Sequence, residues 1–297
     1  MQIPRGGIAF FDSGIGGLTV LHACEKRLPE GLFYYYGDNQ HAPYGNLPVK
    51  KIRRYVLRAF KKFRQLRVSA AVIACNTATA VCVEELRRKF SFPIIGAEPA
   101  VNLASANGGR VLVLATKATC ESERFQKLCQ RAKERFPDAE ISAYACEGLA
   151  GAIERNVHRS DFDFTPYLPK RTVDAVVLGC THYIYIVGQI ARHFGCPIYD
   201  GNDGIARRLT AILGENYFSA KNRDCRPLEG DFDPKLGFLT TKNLDLGVCQ
   251  KIANKRSRKM PLKTPQKKQT AGVFFLGKQR DYNKNIHEQM FVWLKGV

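Results

Sequence analysis

Acidic residues are scarce in this chain: 27 Asp and Glu stand against 46 Lys and Arg, a formal charge of +19. No uncharged apolar run approaches the ~18 residues that a membrane-spanning helix needs, so no membrane partner is expected. The opening MQIPRGGIAFFDSG has no apolar h-region, so no signal peptide is expected and the chain is expected to stay in the cytoplasm. The ten cysteines (24, 75, 82, 120, 129, 146, 180, 196, 225 and 249) form no CxxC pair. No His-x₃₋₅-His accompanies them, so neither a structural zinc site nor any other metal is expected. A chain of this size without a secretion signal is expected to carry free thiols in a reducing compartment. The turn Gly14-Ile15-Gly16-Gly17 follows a strand-like run, but it lacks both the GxGxxG spacing and the Walker lysine of nucleotide cradles. No zinc finger or RNP-type motif is present to convert the positive charge into base readout.

What remains is ample for a core. With 297 residues and 45% hydrophobic composition, the chain is long enough for two domains of roughly 100–150 residues each. Its charge is uneven: residues 251–297 hold twelve Lys or Arg against two acids. Lys, Pro, Thr and Gln dominate that tail, which reads as a linker followed by a candidate docking helix at HEQMFVWLKGV. A weak, non-specific nucleic-acid contact through the tail is a candidate second role. The segment KKIRRYVLRAFKKFRQLR (50–67) is also purely basic. There Ile52, Tyr55, Val56, Ala59, Phe60, Phe63 and Leu66 recur at helical spacing, which predicts a helix with a solvated, charged outer face.

Strand-like runs at 7–11, 32–36, 70–74, 93–96, 110–115, 139–144, 173–178 and 196–199 alternate with helical patterns. The helices are expected near 16–28, 48–67, 77–90, 120–135, 147–157, 184–194 and 202–213. Strands rich in Val, Ile and Ala without polar alternation are buried on both faces, as in parallel sheets covered by helices. The fold class is therefore α/β. One α/β domain is expected from residues 1–97 with about 208–250, a second from 98–207, and a basic extension over 251–297.

Two segments repeat a pattern. AAVIACNTATAVC (70–82) and DAVVLGCTHYIYI (174–186) each end an apolar run in a cysteine followed by hydrogen-bonding residues. Ligands of open parallel sheets bind beyond the carboxyl ends of the strands, and both Cys75 and Cys180 fall at such ends. A helix start lowers a thiol's pKa, so both are candidate reactive groups. The alternative is a buried cysteine capping each strand. Cys24, Cys82, Cys129 and Cys196 read as small core hydrophobes.

The motifs FFDSGIGGLTVL (10–21), YYGDNQHAPYG (35–45), VIACNTATA (72–80), IIGAEPA (94–100), VLATKAT (113–119) and LGCTHY (178–183) resemble those of the cofactor-independent glutamate racemases, within the aspartate/glutamate racemase superfamily. They occur in that family's order over about residues 7–215. The resemblance implies two flavodoxin-like domains with the active site in the cleft between them. It also implies interconversion of L- and D-glutamate for peptidoglycan without a cofactor, and a homodimer is expected. Aspartate is the alternative substrate. Removing a proton from Cα and returning one on the opposite face calls for two acid/base groups, and a thiol with a pKa near ~8.5 can be tuned for that work. By the resemblance, Cys180 deprotonates L-glutamate while Cys75 protonates the other face.

The same resemblance places Asp12 and Ser13 near the substrate ammonium beside Cys75, with His182 as the matching aid beside Cys180. Read without it, Asp12 and Ser13 are equally an N-cap at a tight turn, and a lone histidine is often structural. Asn76, Thr77 and Thr181 are expected to hold the α-carboxylate at helix starts. By the resemblance, Tyr44 and Gly45 are expected to form the wall against the substrate side chain, with Thr119 as another donor. Glu154 is either an acid at the cleft edge or a solvated helix carboxylate, and Glu98 is an internally bonded acid in a turn at the cleft floor. The chain departs from the family pattern at Ile184, where CTHYP or CTHFP is usual, at EPA for EPG, and at ATKAT. The tail from about 250 lies outside the resemblance.

Overall fold

The computed structural model describes residues 7–214 apart from 30, 32 and 158, together with the backbone of strands at 238–239 and 273–276. The first sheet is built from β1 (Ile8–Asp12), β2 (Phe33–Gly37), β3 (Ala70–Ile73) and β4 (Ile94–Gly96), all parallel. The second comprises β5 (Gly109–Ala115), β6 (Ala139–Ala145), β7 (Ala175–Leu178) and β8 (Ile198–Tyr199), also parallel. Strands β9 (Phe238–Leu239) and β10 (Val273–Leu276) extend the first sheet beyond β2, with β10 parallel to β2 and β9 antiparallel to β10. Val273–Leu276 lies inside the stretch expected to be linker; its run VFFL is apolar and aromatic, the composition that suits a strand. The candidate helix at the C-terminal end and the rest of the tail lie outside the described residues.

Both sheets share one strand order, second–first–third–fourth: β2-β1-β3-β4 and β6-β5-β7-β8. This is the flavodoxin-like arrangement, whose switch point lies between the first and third strands. The helices are α1 (Gly17–Arg27), α2 (Val49–Gln65), α3 (Asn76–Lys89), α4 (Val101–Ala104), α5 (Lys117–Cys120), α6 (Glu123–Arg135), α7 (Leu149–Asn156), α8 (Val187–Phe194) and α9 (Asn202–Leu213). The pleat sorts β1 residue by residue. Ala9 and Phe11 face a core with α2 and α3, while Ile8 and Phe10 face a core with α1 and α9. Sheet two has a core on each face as well. Helix α9 returns the chain to the first sheet, where Arg27 and Asp203 pair at 2.6 Å and Asn202 donates to Thr19 Oγ1 at 3.2 Å.

Two expected helices differ in detail. The one at 120–135 is split into α5 and α6, because Ser122 caps the second piece by accepting the Phe125 N–H at 3.2 Å. The one at 184–194 is α-helical only from Val187; Thr181–Ile186 form a 3₁₀ helix that tightens the start. Among the described residues, no helix is long and apolar enough to cross a membrane.

Candidate active site

The switch points of the two sheets decide which side chains meet. Strand β1 ends at Asp12 beside the end of β3, where Ala74 N donates to Phe11 O at 2.8 Å before the chain enters Cys75. In the second sheet, β7 leads through Gly179 into Cys180 beside the end of β5 and Thr116.

Cys75 is the N-cap of α3, its sulfur accepting the Ala78 N–H at 3.4 Å. The same thiol lies 3.6 Å from Ser13 Oγ, to which it donates. Burial first, and then the charge of Asp12, pushes the Cys75 thiol up to about 12. Charge on Cys180 acts in the same direction, so the two thiols lie within electrostatic reach of one another.

Cys180 stands at the N-cap of the 3₁₀ helix, with its sulfur 3.6 Å from His182 Nδ1. The other nitrogen, Nε2, is 2.6 Å from Glu154 Oε1. Burial alone would lower the His182 imidazole; hydrogen bonds to Cys180 and Glu154, with the Glu154 charge, outweigh it and hold His182 well above its ordinary value. Of the two readings for Glu154, the solvated helix carboxylate is not what the structure contains. Its Oε1 also accepts the Ile15 N–H at 3.2 Å, so it ties α7 to the glycine turn of the first sheet.

Asp12 is fully buried, with Oδ1 accepting the Gly14 N–H at 2.8 Å and Oδ2 accepting from Thr181 Oγ1 at 3.2 Å. Burial raises its carboxyl above the usual range, and the nearby His182 charge opposes that rise. The cap of α1 is Gly16, without a side-chain bond, so Asp12 and Ser13 are not its N-cap. The turn is glycine-rich because side chains of the second unit occupy the space. A Cβ on Gly14 would come 1.9 Å from Glu154 Oε1, and one on Gly16 would come 2.3 Å from Thr181 Oγ1.

Three threonines form a cluster across the two units. Thr77 Oγ1 is 2.9 Å from Thr116 Oγ1 and 3.4 Å from Thr119 Oγ1, and Thr116 and Thr119 are 3.0 Å apart. Sequence reasoning missed Thr116, although the quoted VLATKAT contains it. Gly45 lies against this cluster, since a Cβ there would be 3.0 Å from Thr116 Cγ2. Tyr44 is buried in the first core, its hydroxyl donating to Asp38 Oδ2 at 2.5 Å. His41 Nδ1 is 2.9 Å from the Asp38 carboxylate, so Asp38 fixes the loop that carries Tyr44 and Gly45. Asp38 and His41 were also missed, though both sit in the motif YYGDNQHAPYG. Asn76 Oδ1 is buried with no hydrogen-bond partner among the described residues. With Cys180 and Thr181 it lines a cavity of about 20 Å³ between the units.

Glu98 pairs with Arg124 of α6, which also reaches Glu84 of α3 at 3.1 Å. Cys24 and Cys82 are buried in the first unit's two cores, while Cys129 and Cys196 are partly buried against those of the second. Among the described residues, no group of three or more His, Cys, Asp or Glu side chains is placed to hold a metal ion.

Four comparisons bear on this site. The family model described as Asp/Glu/Hydantoin racemase matches residues 19–209. The glutamate racemase of Clostridium acetobutylicum is 35% identical over 263 residues, covering 83% of this chain and all of its own length. A crystal structure of Escherichia coli glutamate racemase, in complex with L-glutamate and the activator UDP-MurNAc-ala, superposes with a TM-score of 0.64 at 29% identity. It covers 77% of this chain and 88% of that one. The Campylobacter jejuni glutamate racemase structure gives a TM-score of 0.64 at 25% identity, covering 97% of this chain and 98% of its own.

Proposed function

The chain belongs to the Asp/Glu/Hydantoin racemase family, and from that premise we propose that it interconverts L- and D-glutamate by a two-base mechanism with Cys75 and Cys180. One observation carries this reading: two buried thiols follow the third strand of two like-ordered sheets, Cys75 bonded to Ser13 and Cys180 to His182, while Asp12 and Thr181 join the two loops that carry them. Similarity to glutamate racemases over most of the chain supports glutamate as substrate.

In this mechanism Cys180, as thiolate, removes the Cα proton of L-glutamate. His182, held charged by Glu154, offsets the negative charge on that sulfur. Cys75, kept as a thiol by burial and by Asp12, then delivers a proton to the opposite face. For D-glutamate the roles reverse. Asp12 and Ser13 take the ammonium, while Asn76, Thr77 and Thr181 take the α-carboxylate. Tyr44-Gly45 and Thr119, with Thr116 joined to the cluster, surround the side-chain carboxylate.

We assign residues 1–97, with α9 and the chain after it to about residue 250, to one unit and 98–201 to the other, because α9 packs Ile205, Ala206 and Leu209 into the first unit's core. We also place the enzyme in the cytoplasm as a homodimer that supplies D-glutamate for peptidoglycan. The deciding experiment is coupled detection of D-glutamate formed from L-glutamate by purified protein, without added pyridoxal phosphate and in the presence of chelator. Turnover of aspartate in preference to glutamate overturns the substrate, and a requirement for pyridoxal phosphate overturns the mechanism.

A further inference from the structure

Residues 39–83 contain no Asp or Glu, yet positions 50–67 carry nine Lys or Arg. Helix α2 holds all but the last of them. Ile52, Val56, Ala59, Phe60 and Phe63 fix one face to the first sheet, so the other face is presented rigidly to solvent. Lys50, Lys51, Arg53, Arg54, Arg58, Lys61 and Arg64 are all exposed there.

Little of this charge is answered within the protein. Arg53 reaches Glu85 at 3.8 Å, Arg54 lies over Tyr55, and Arg64 lies over Phe90. Lys62 stacks over Tyr36, and burial together with the neighbouring Arg58 lowers its ammonium. Lys50, Lys51, Arg58 and Lys61 make no ion pair with any described residue. Like charges four residues apart on a helix repel, as do Lys50 with Arg54 and Arg54 with Arg58. Core packing does not call for them, since the buried face supplies the contacts.

We propose that the outer face of α2 is a docking surface for the phosphate backbone of nucleic acid, bound without sequence preference. Lys50, Arg54, Arg58 and Lys61 follow one another along the axis in steps of about 4.5–6 Å, a row suited to successive phosphates. A lipid surface is the weaker match. Peripheral helices bind membranes by an apolar face as well as by charge, whereas the apolar face of α2 is spent in the core. Val49 and Leu103 are the exposed large hydrophobics among the described residues. With no base-reading motif, the contact is electrostatic and counterion release governs it. This surface does not depend on the racemase reading.

The test uses the full chain and a fluorescent 20-base-pair duplex, with anisotropy followed over a salt series. A variant carrying Lys50→Gln, Lys51→Gln, Arg58→Gln and Lys61→Gln is expected to flatten the log K against log salt slope by about 3–4 units, at ~0.9 per phosphate contact. Affinity at about 0.1 M salt should fall at least ~10-fold. The milder Lys50→Gln, Lys51→Gln pair should remove about half as much slope, which keeps the result readable if the fourfold variant folds poorly. None of these residues touches the racemase site, so turnover should be unchanged. No duplex binding by the natural sequence overturns the proposal. So does an undiminished slope in the helix variants when Lys255, Arg256, Arg258 and Lys259→Gln abolishes it. Binding to vesicles with a third of anionic phosphatidylglycerol but not to duplex overturns it in favour of lipid.

Discussion

At Cys75 and Cys180 the same atom type sits in two different electrostatic settings. Cys75 faces the carboxyl of Asp12 and the hydroxyl of Ser13, whereas Cys180 faces the His182–Glu154 pair. Because the equilibrium constant between enantiomers is unity, kcat/KM for the two must agree in any variant, so asymmetry has to be sought in proton exchange. Replacing either cysteine by Ser is expected to slow racemisation by at least ~10²-fold. In heavy water, proton NMR should show Cys180→Ser losing more Cα exchange from L-glutamate, and Cys75→Ser losing more from D-glutamate. Cys82→Ser and Cys196→Ser should leave both exchanges near those of the natural sequence. Equal loss of both exchanges in the Cys75→Ser and Cys180→Ser variants would mean that the thiols hold the cleft together rather than move protons. Glu154→Gln removes the carboxylate that keeps His182 charged, so iodoacetamide should alkylate Cys180 several-fold more slowly near pH 8. Mass mapping of the labelled peptide measures this, and an unchanged rate refutes the role given to Glu154.

Among the elements, the glycine turn before α1 is the one most constrained by its surroundings. A methyl on Gly14 would displace Glu154 from both Ile15 and His182. Misplacing a catalytic group by about 1 Å costs on the order of 10²-fold in rate. Gly14→Ala should therefore lower kcat/KM by about that factor, with a stability loss of about 1–3 kcal/mol from overpacking. Gly195→Ala is the contrasting control. Its φ of +63° is strained for alanine, but its Cβ would meet nothing within 4 Å. It should cost about 1 kcal/mol of stability and leave kcat/KM intact; thermal melts and steady-state kinetics on both variants separate the two effects.

Across the whole molecule, the buried thiols set how stability depends on alkaline pH. Burial is the leading cause that pushes Cys24, Cys75, Cys82 and Cys146 up to about 12. Unfolded cysteines ionise near ~8.5. A group whose folded pKa is raised gives stability that is complete below the unfolded value and is lost as pH rises through the folded value. His182, also raised, has the same sign, with its contribution declining from about pH 6.5 upward. The urea midpoint should thus fall steadily between about pH 8.5 and 11, and replacing Cys24 and Cys82 by Ala should flatten that fall. A midpoint constant over this range refutes the assignment.

The sequence alone determined the alternation of strands and helices, because burial on both faces of a parallel strand leaves runs such as AVVL and AAVI that nothing else explains. It also marked Cys75 and Cys180, since a thiol at a strand end followed by hydroxyl and amide groups is a local signal. Most strand and helix positions agree with the structure to within a few residues; the 3₁₀ start at Thr181–Ile186 and the break at Ser122 do not, because tertiary packing and capping decide such details. The sequence could not tell which turn glycines are sterically required, that Glu154 reaches across to Ile15, that Asp38 anchors Tyr44, or that Thr116 joins Thr77 and Thr119. Those pairs are separated by three to 139 positions along the chain. Two of them, Glu154 with Ile15 and Thr116 with Thr77, bring together loops from two sheets. Periodicity reports which face of an element is buried; only the folded chain fixes which polar atoms on neighbouring loops come within hydrogen-bonding distance.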